Sequence, residues 1–138
     1  MYERLLVAVD HSEVSGRVLA AAQGLASLSK GEVWVIHLRE REVIDRMGLV
    51  PAESDVEAES AVKEAVDELT KAGINAHGEV RDTIFGHAAR EIIEDAKEHD
   101  ASVIVMGSRG RSDLTGLVLG STAHKVIHLT DRPVLVIR

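Results

Sequence analysis

The chain has 138 residues, no cysteine and a formal net charge of -7, and aromatic residues make up 2% of it. The missing cysteine excludes disulfides and thiolate catalysis. The acidic balance disfavours nucleic-acid binding, because nothing steers such a surface toward a polyanion. No apolar run approaches the ~20 residues that a membrane span needs. Charges stand directly before the first apolar run, which disfavours a signal peptide. We expect one cytoplasmic domain over residues 1–138 with an aliphatic core.

The first half of the chain predicts two strand–helix units. Leu5–Val9 and Val33–Leu38 are apolar runs without polar alternation, which is typical of strands covered on both faces. Apolar residues at helical spacing follow each run and predict helices over about 12–29 and 54–73. Ser12 caps the first helix in this interpretation, and Ser54 or Asp55 caps the second. Trp34, in the second strand, is interpreted as a core residue.

The segment Arg39–Asp55 joins the second strand to the second helix. At roughly 17 residues it is longer than an ordinary α/β connection. It leaves the strand close to the crevice where ligands bind in such sheets. Two interpretations stay open, a lid over a ligand or a disordered connection.

The second half predicts three strands and two helices. Ile74–Val80 alternates between apolar and polar residues, which indicates a half-solvated edge strand. A third helix follows Gly86, and Val103–Met106 is another buried strand. A fourth helix begins near Gly120, and Val134–Ile137 is the last strand.

Strands that alternate with helices predict a parallel sheet with right-handed crossovers and helices on both faces. In such sheets ligands bind beyond the carboxyl ends of strands, where the strand order reverses. Asp10 follows the first strand directly, and Gly107 follows the fourth. The two residues share one crevice if these strands are neighbours, which spacing alone leaves open.

The segment after the fourth strand carries the strongest functional signal. Gly107 allows a sharp turn, and Gly110 lets backbone N–H groups face inward. Gly120 permits close approach at a helix start, where free N–H groups and the helix dipole favour an anion. Ser121 and Thr122 add hydroxyl donors. This pattern indicates a phosphate site, and glycines that serve only as turn residues remain the alternative.

Other nucleotide and catalytic patterns are missing. The chain has neither the P-loop sequence nor the Gly-x-Gly-x-x-Gly of dinucleotide-binding domains. It also has no Gly-x-Ser-x-Gly elbow, which disfavours a hydrolase triad. His124 and His128 lie four residues apart and are interpreted as a surface pair.

Several motifs together resemble the universal stress protein family, in its ATP-binding branch. The spacing Gly107-x2-Gly110-x9-Gly120-Ser121 is similar to that branch's nucleotide loop. The stretch VAVDHS at 7–12 and the closing PVLVIR are also typical of the family. The resemblance covers nearly the whole chain.

The resemblance implies a three-layer α/β fold. Its centre is a five-stranded parallel sheet in the order 3-2-1-4-5 with four helices, Rossmann-like and similar to adenine nucleotide alpha hydrolases. It also implies ATP or another adenine nucleotide as ligand, with Mg²⁺ as a candidate companion, and a homodimer through Val134–Ile137. An apolar last strand points the same way, since an exposed apolar edge invites pairing.

The resemblance also assigns roles to site residues. Ala8, Val9 and Leu38 line the adenine and ribose pocket, and Met106 and Gly107 flank the nucleoside. Asp10 lies near the ribose and phosphates and is a candidate metal ligand. The phosphates are held by Gly110, Gly120, Ser121 and Thr122. From the residues alone, Arg109 and Arg111 are within reach of the phosphates, and a solvated position is the alternative for both.

Three residues depart from the family pattern. Ser102 stands where an aspartate is usual before the fourth strand and is interpreted as structural. Asp113 places a negative charge inside the phosphate loop, which either weakens nucleotide binding or favours a metal-bound nucleotide. Thr122 replaces an aliphatic residue and adds a donor.

The function hypothesis is a nucleotide-binding regulatory protein of the stress response, in which occupancy of the site is the signal. No positioned general base or arginine finger is recognisable, so rapid hydrolysis is not expected. Two alternatives stay open. One is a slow Mg²⁺-dependent ATPase or nucleotidyl transferase, and the other is a structural dimer with no nucleotide.

Overall fold

The computed structural model describes residues 1–10, 14–44, 48–51, 55–109 and 119–138. The predicted caps Ser12 and Ser54 lie outside these ranges. The elements in chain order are β1 (Arg4–Val9), α1 (Val14–Ser29), β2 (Glu32–Ile44), β3 (Gly48–Pro51), α2 (Asp55–Lys71), β4 (Ala76–Ile84), α3 (Ala88–Glu98), β5 (Val103–Gly107), α4 (Ser121–Leu129) and β6 (Val134–Ile137).

Five strands form a parallel sheet in the order β4-β2-β1-β5-β6. Counted over the parallel strands alone, this is the predicted order 3-2-1-4-5, which is confirmed. It makes β1 and β5 neighbours, with Leu5 opposite Val103 and Val7 opposite Val105. A sixth strand that the sequence did not predict, β3, pairs antiparallel with the end of β2.

Helices cover both faces of the sheet. On one face α1 and α2 pack on alternate strand residues such as Leu5, Val7 and Val35. On the other face α3 and α4 pack on the residues between them, such as Leu6 and Ile36. The buried strands are almost entirely aliphatic because both of their faces meet a helix layer.

The interpretation of residues 39–55 as one connection is wrong for much of its length. Strand β2 continues to Ile44, and β3 occupies Gly48–Pro51. Strand β4 runs beside β2 as far as the pair Arg41–Ile84, so this polar stretch has a hydrogen-bonding partner. Tertiary pairing therefore overrides the low strand propensity of a charged segment.

Strand β4 lies at an edge, as its alternation predicts, and among the described strands it pairs with β2 alone. It begins two residues later than predicted and ends at Ile84 rather than Val80. Trp34, predicted to be core, packs against the α3–α4 side of the sheet but stays partly exposed.

Gly78 of β4 faces α2 at close range. A Cβ added there would lie 2.4 Å from Val62 Cγ1 and 2.7 Å from Val66 Cγ2. We expect Gly78→Ala to lower the free energy of unfolding by about 1–3 kcal/mol, because a stiff valine pair must move. Urea denaturation measures the change.

Gly24 of α1 provides the matched control, because a Cβ added there meets nothing within 4 Å. Gly24→Ala should raise the free energy of unfolding by about 0.5–1 kcal/mol, since alanine loses less backbone entropy in a helix. A Gly78→Ala protein as stable as the parent would contradict the packing described between β4 and α2.

Candidate nucleotide site

The site predicted from the sequence lies at the carboxyl edge of β1, β2 and β5. The β1–β5 register, continued beyond Val7–Val105, places Ala8 level with Met106 and Val9 level with Gly107. Asp10 follows β1 directly. The parallel arrangement therefore brings the predicted residues of both strands to one edge of the sheet.

The predicted pocket residues divide between the two faces of the sheet. Ala8 and Leu38 are partly buried, and both pack with buried Met106 against the α3–α4 side. Val9 belongs to the cluster on the α1–α2 side. Three of the four residues thus form one apolar surface, and the side chain of Val9 faces away from it. Leu119 packs against the same surface just before α4, and the sequence prediction assigned it no role in the site.

Asp10 is held by the first full turn of α1. The Ser15 hydroxyl oxygen accepts a bond from the Asp10 N–H at 3.0 Å. The same oxygen lies 2.7 Å from the Asp10 carbonyl oxygen and 2.9 Å from its Oδ1. These contacts fix the carboxylate at the sheet edge. Sequence spacing did not identify Ser15, because serine near a helix start usually caps that helix.

The two ends of the glycine loop are tied together by backbone hydrogen bonds. The Gly120 N–H donates to the Ser108 carbonyl oxygen at 2.6 Å. The Ser108 N–H donates to the Ile137 carbonyl oxygen at 2.7 Å. Ser108 therefore joins the ends of β5 and β6 to the start of α4. The sequence analysis did not identify Ser108, because it joins these elements through its backbone N–H and carbonyl groups and not through its side chain.

Gly107 is tightly packed where β5 ends. A Cβ on it would lie 3.1 Å from Val14 Cγ1 and 3.3 Å from the Arg109 carbonyl oxygen. Glycine here lets the chain leave β5 close to the start of α1. Arg109 follows and is partly buried, while Gly110, Arg111 and Asp113 lie outside the described residues.

The first turn of α4 presents backbone donors at this edge. Gly120 is its N-cap, in extended backbone conformation, and provides no side-chain cap. Ser121 is exposed and Thr122 partly exposed. The first N–H groups of a helix have no partner within it and carry partial positive charge. The terminus can therefore accept an anion beside the apolar surface of Ala8 and Leu38.

Two buried polar side chains of β2 support this edge. His37 lies opposite Val9, and its Nδ1 is 3.1 Å from the Val9 carbonyl oxygen, so Nδ1–H donates. Arg39 donates to both carboxylate oxygens of Asp82, at 2.6 and 2.9 Å, and also pairs with Asp55. The alternation of β2 places both residues on the face of Val33 and Val35. In the sequence these two residues look like ordinary solvent-exposed strand residues, and only their long-range partners show that they are buried.

No helix in the described part of the chain is both long enough and apolar enough to cross a bilayer.

The model of the universal stress protein family matches residues 1–138. The chain belongs to the universal stress protein family.

Similar universal stress proteins come from bacteria and archaea. The universal stress protein YxiE of Bacillus subtilis is 36% identical, with 100% of both chains covered. A solved universal stress protein from Archaeoglobus fulgidus is 31% identical with a TM-score of 0.77, again over 100% of both chains. A second A. fulgidus structure, solved in complex with dAMP, is 28% identical with a TM-score of 0.75 over 99% of this chain and 98% of its own.

Proposed function

We propose that this universal stress protein binds an adenine nucleotide at the carboxyl edge of β1, β2 and β5. The proposal rests on two different surfaces that lie side by side at this edge of the sheet, one that binds anions and one that is apolar. The N-terminus of α4 supplies anion-binding donors, and an apolar surface lies beside it. The relative from A. fulgidus that was solved with dAMP supports the same class of ligand.

The phosphates bind at the glycine loop and the start of α4 in this proposal. Backbone N–H groups of Ser121 and Thr122 donate to phosphate oxygens, and the two hydroxyls add further donors. Gly120 leaves room for the phosphates because it has no side chain. Arg109 and Gly110 complete the phosphate side.

The base and ribose bind over the apolar surface. Ala8, Leu38 and Met106 contribute side chains, and Gly107 flanks the nucleoside where β5 ends. Val9 acts through its backbone, since its side chain packs on the opposite face. An apolar pocket of this kind discriminates only weakly between bases.

Asp10 lies near the ribose and phosphates. A single carboxylate beside a polyphosphate fits Mg²⁺, which commonly takes one or two carboxylates together with phosphate oxygens and water. Asp10 would hold such an ion, which would neutralise phosphate charge. The contacts with Ser15 keep the Asp10 carboxylate in place whether or not an ion is bound.

Occupancy of the site is the signal in our proposal, and ATP is the ligand. A nucleotide that binds only the folded chain stabilises it by mass action, by about 2.7 kcal/mol at a hundredfold excess over Kd. Partners then recognise the ordered edge around α4. Regulation of this kind requires binding and does not require efficient hydrolysis.

Gly120→Val tests the proposed phosphate position. Gly120 has φ -72° and ψ 163°, a conformation that valine also adopts, so the variant should fold. We expect the valine side chain to block the phosphates and abolish the rise in melting temperature that millimolar ATP causes in the parent.

Gly120→Ala is the graded control, because a methyl group obstructs less space than an isopropyl group. It should weaken ATP binding less than the valine variant does. Calorimetric titration gives both affinities, and circular dichroism confirms folding. Unchanged affinity in a folded Gly120→Val protein would place the phosphates elsewhere.

We also propose that a second copy of the chain pairs with β6. Among the described strands β6 pairs with β5 alone, and Leu135 on it is 37% exposed. Apolar residues on an open edge favour pairing with another strand. Two copies in contact along β6 would bury this edge.

Val136→Pro tests the β6 dimer. The carbonyl groups of Pro133 and Ile137 accept bonds from β5, so the alternate residue Val136 turns its N–H toward the open edge. Proline removes that donor, and we expect a monomer by sedimentation at micromolar concentration. Val136→Thr keeps the donor and should remain a dimer. A parent protein that sediments as a monomer would contradict the proposal.

A further inference from the structure

A group of charged side chains lies between β4 and the end of α3. Glu79 and Arg81 project from the same face of β4 because they are two residues apart. Asp95 and Glu98 belong to the last turns of α3, and His99 follows it. We refer to these five residues as the His99 cluster.

Three members of the cluster carry metal-ligand atoms at close range. One ligand atom each from Glu79, Asp95 and His99 lies within 4.8 Å of the others. The three come from two packed elements, so the fold itself sets their separation. One imidazole and two carboxylates form a set that suits Zn²⁺ and similar divalent transition metals. The nitrogen ligand disfavours Ca²⁺ and Mg²⁺, which prefer oxygen.

The cluster carries excess negative charge. Arg81 Nη2 lies 2.8 Å from Asp95 Oδ1, 2.8 Å from Glu98 Oε2 and 3.2 Å from Glu79 Oε1. One guanidinium thus faces three carboxylates, and these four groups carry a net charge of -2 when all are ionised. A divalent cation supplies the two missing positive charges.

Asp95 has a buried oxygen that the ion pair does not use. Its side chain is 2% exposed, and Oδ1 pairs with Arg81. Among the described residues Oδ2 has no hydrogen-bond partner. Burial raises the pKa of Asp95 to about 6 although Arg81 opposes that rise. A buried carboxylate oxygen without a partner is costly, and a cation on Oδ2 would satisfy it while Oδ1 keeps Arg81.

The His99 ring is already positioned for coordination. It stacks on Trp34 with centroids 4.8 Å apart and 25° between the ring planes. Its Nε2 lies 3.2 Å from Glu79 Oε1. Packing therefore fixes the imidazole with one nitrogen directed at the carboxylate side of the cluster.

We propose that Glu79, Asp95 and His99 form a divalent transition-metal site that binds Zn²⁺. The metal ties the end of α3 to the edge strand β4, and Arg81 remains paired with Asp95 beside it. None of its three ligands belongs to the proposed nucleotide site, and Arg81 lies opposite Leu38 of that site in the β2–β4 pair.

Trp34 provides an internal reporter, since it is the single tryptophan of the chain. We would titrate Zn²⁺ into metal-free, full-length protein and follow Trp34 fluorescence, with calorimetry for stoichiometry. Both experiments use His124→Gln/His128→Gln protein, because those two rings lie 6.3 Å apart on α4 and form a second candidate zinc chelate. We expect one Zn²⁺ per chain, a saturable fluorescence change with the same Kd, and a higher melting temperature.

Two further substitutions separate coordination from stacking. His99→Gln removes a ligand and one ring from Trp34, and should weaken Zn²⁺ binding at least about tenfold. His77→Gln removes the other ring that stacks on Trp34, at 4.8 Å, but no ligand, and should leave the affinity unchanged. Equal weakening by the two substitutions would overturn the proposal. So would the absence of saturable binding when Zn²⁺ is in large excess over the protein, which would leave the cluster as an ion-pair network.

Discussion

The hydrogen bond from the Gly120 N–H to the Ser108 carbonyl oxygen is the interaction on which the proposed site depends. At 2.6 Å it fastens the first residue before α4 to the end of β5. Ser108 also donates to Ile137, so one buried residue joins β5, β6 and α4. This bond, together with the packing of Ala123 and Val126, holds the start of α4 at the carboxyl edge of the sheet.

The two faces of the sheet have different roles. The α1–α2 face is closed by large aliphatic residues and by the buried side chains of His37 and Arg39. The α3–α4 face carries both proposed sites. In the β2–β4 pair, Glu79 of the His99 cluster lies opposite Ile36, and Arg81 lies opposite Leu38 of the proposed adenine pocket. The two proposed sites are therefore neighbours on one face and use different residues.

Buried runs and glycine spacing are local signals, so they were sufficient to predict the strands and the turn after β5. They left open whether β1 and β5 are neighbours, and the strand order was implied only by the family resemblance. The sequence was insufficient for the continuation of β2 to Ile44, since that depends on β4 as a partner. The His99 cluster was missed for the same reason. Glu79 and Asp95 look like ordinary surface charges until β4 and α3 are packed together. Val9 was predicted to line the pocket, but its side chain lies on the α1–α2 side, and that orientation depends on the whole sheet.

A titration of isotopically labelled protein with ATP, followed by amide nuclear magnetic resonance, tests the central claim most directly. Backbone amides of Gly107, Ser121 and Thr122 should shift in a saturable manner, because the phosphates are proposed to bind at the end of β5 and the start of α4. The claim would be contradicted if the signals of these three amides did not move and the shifts instead clustered around Lys30 and Asn75, at the opposite end of the sheet.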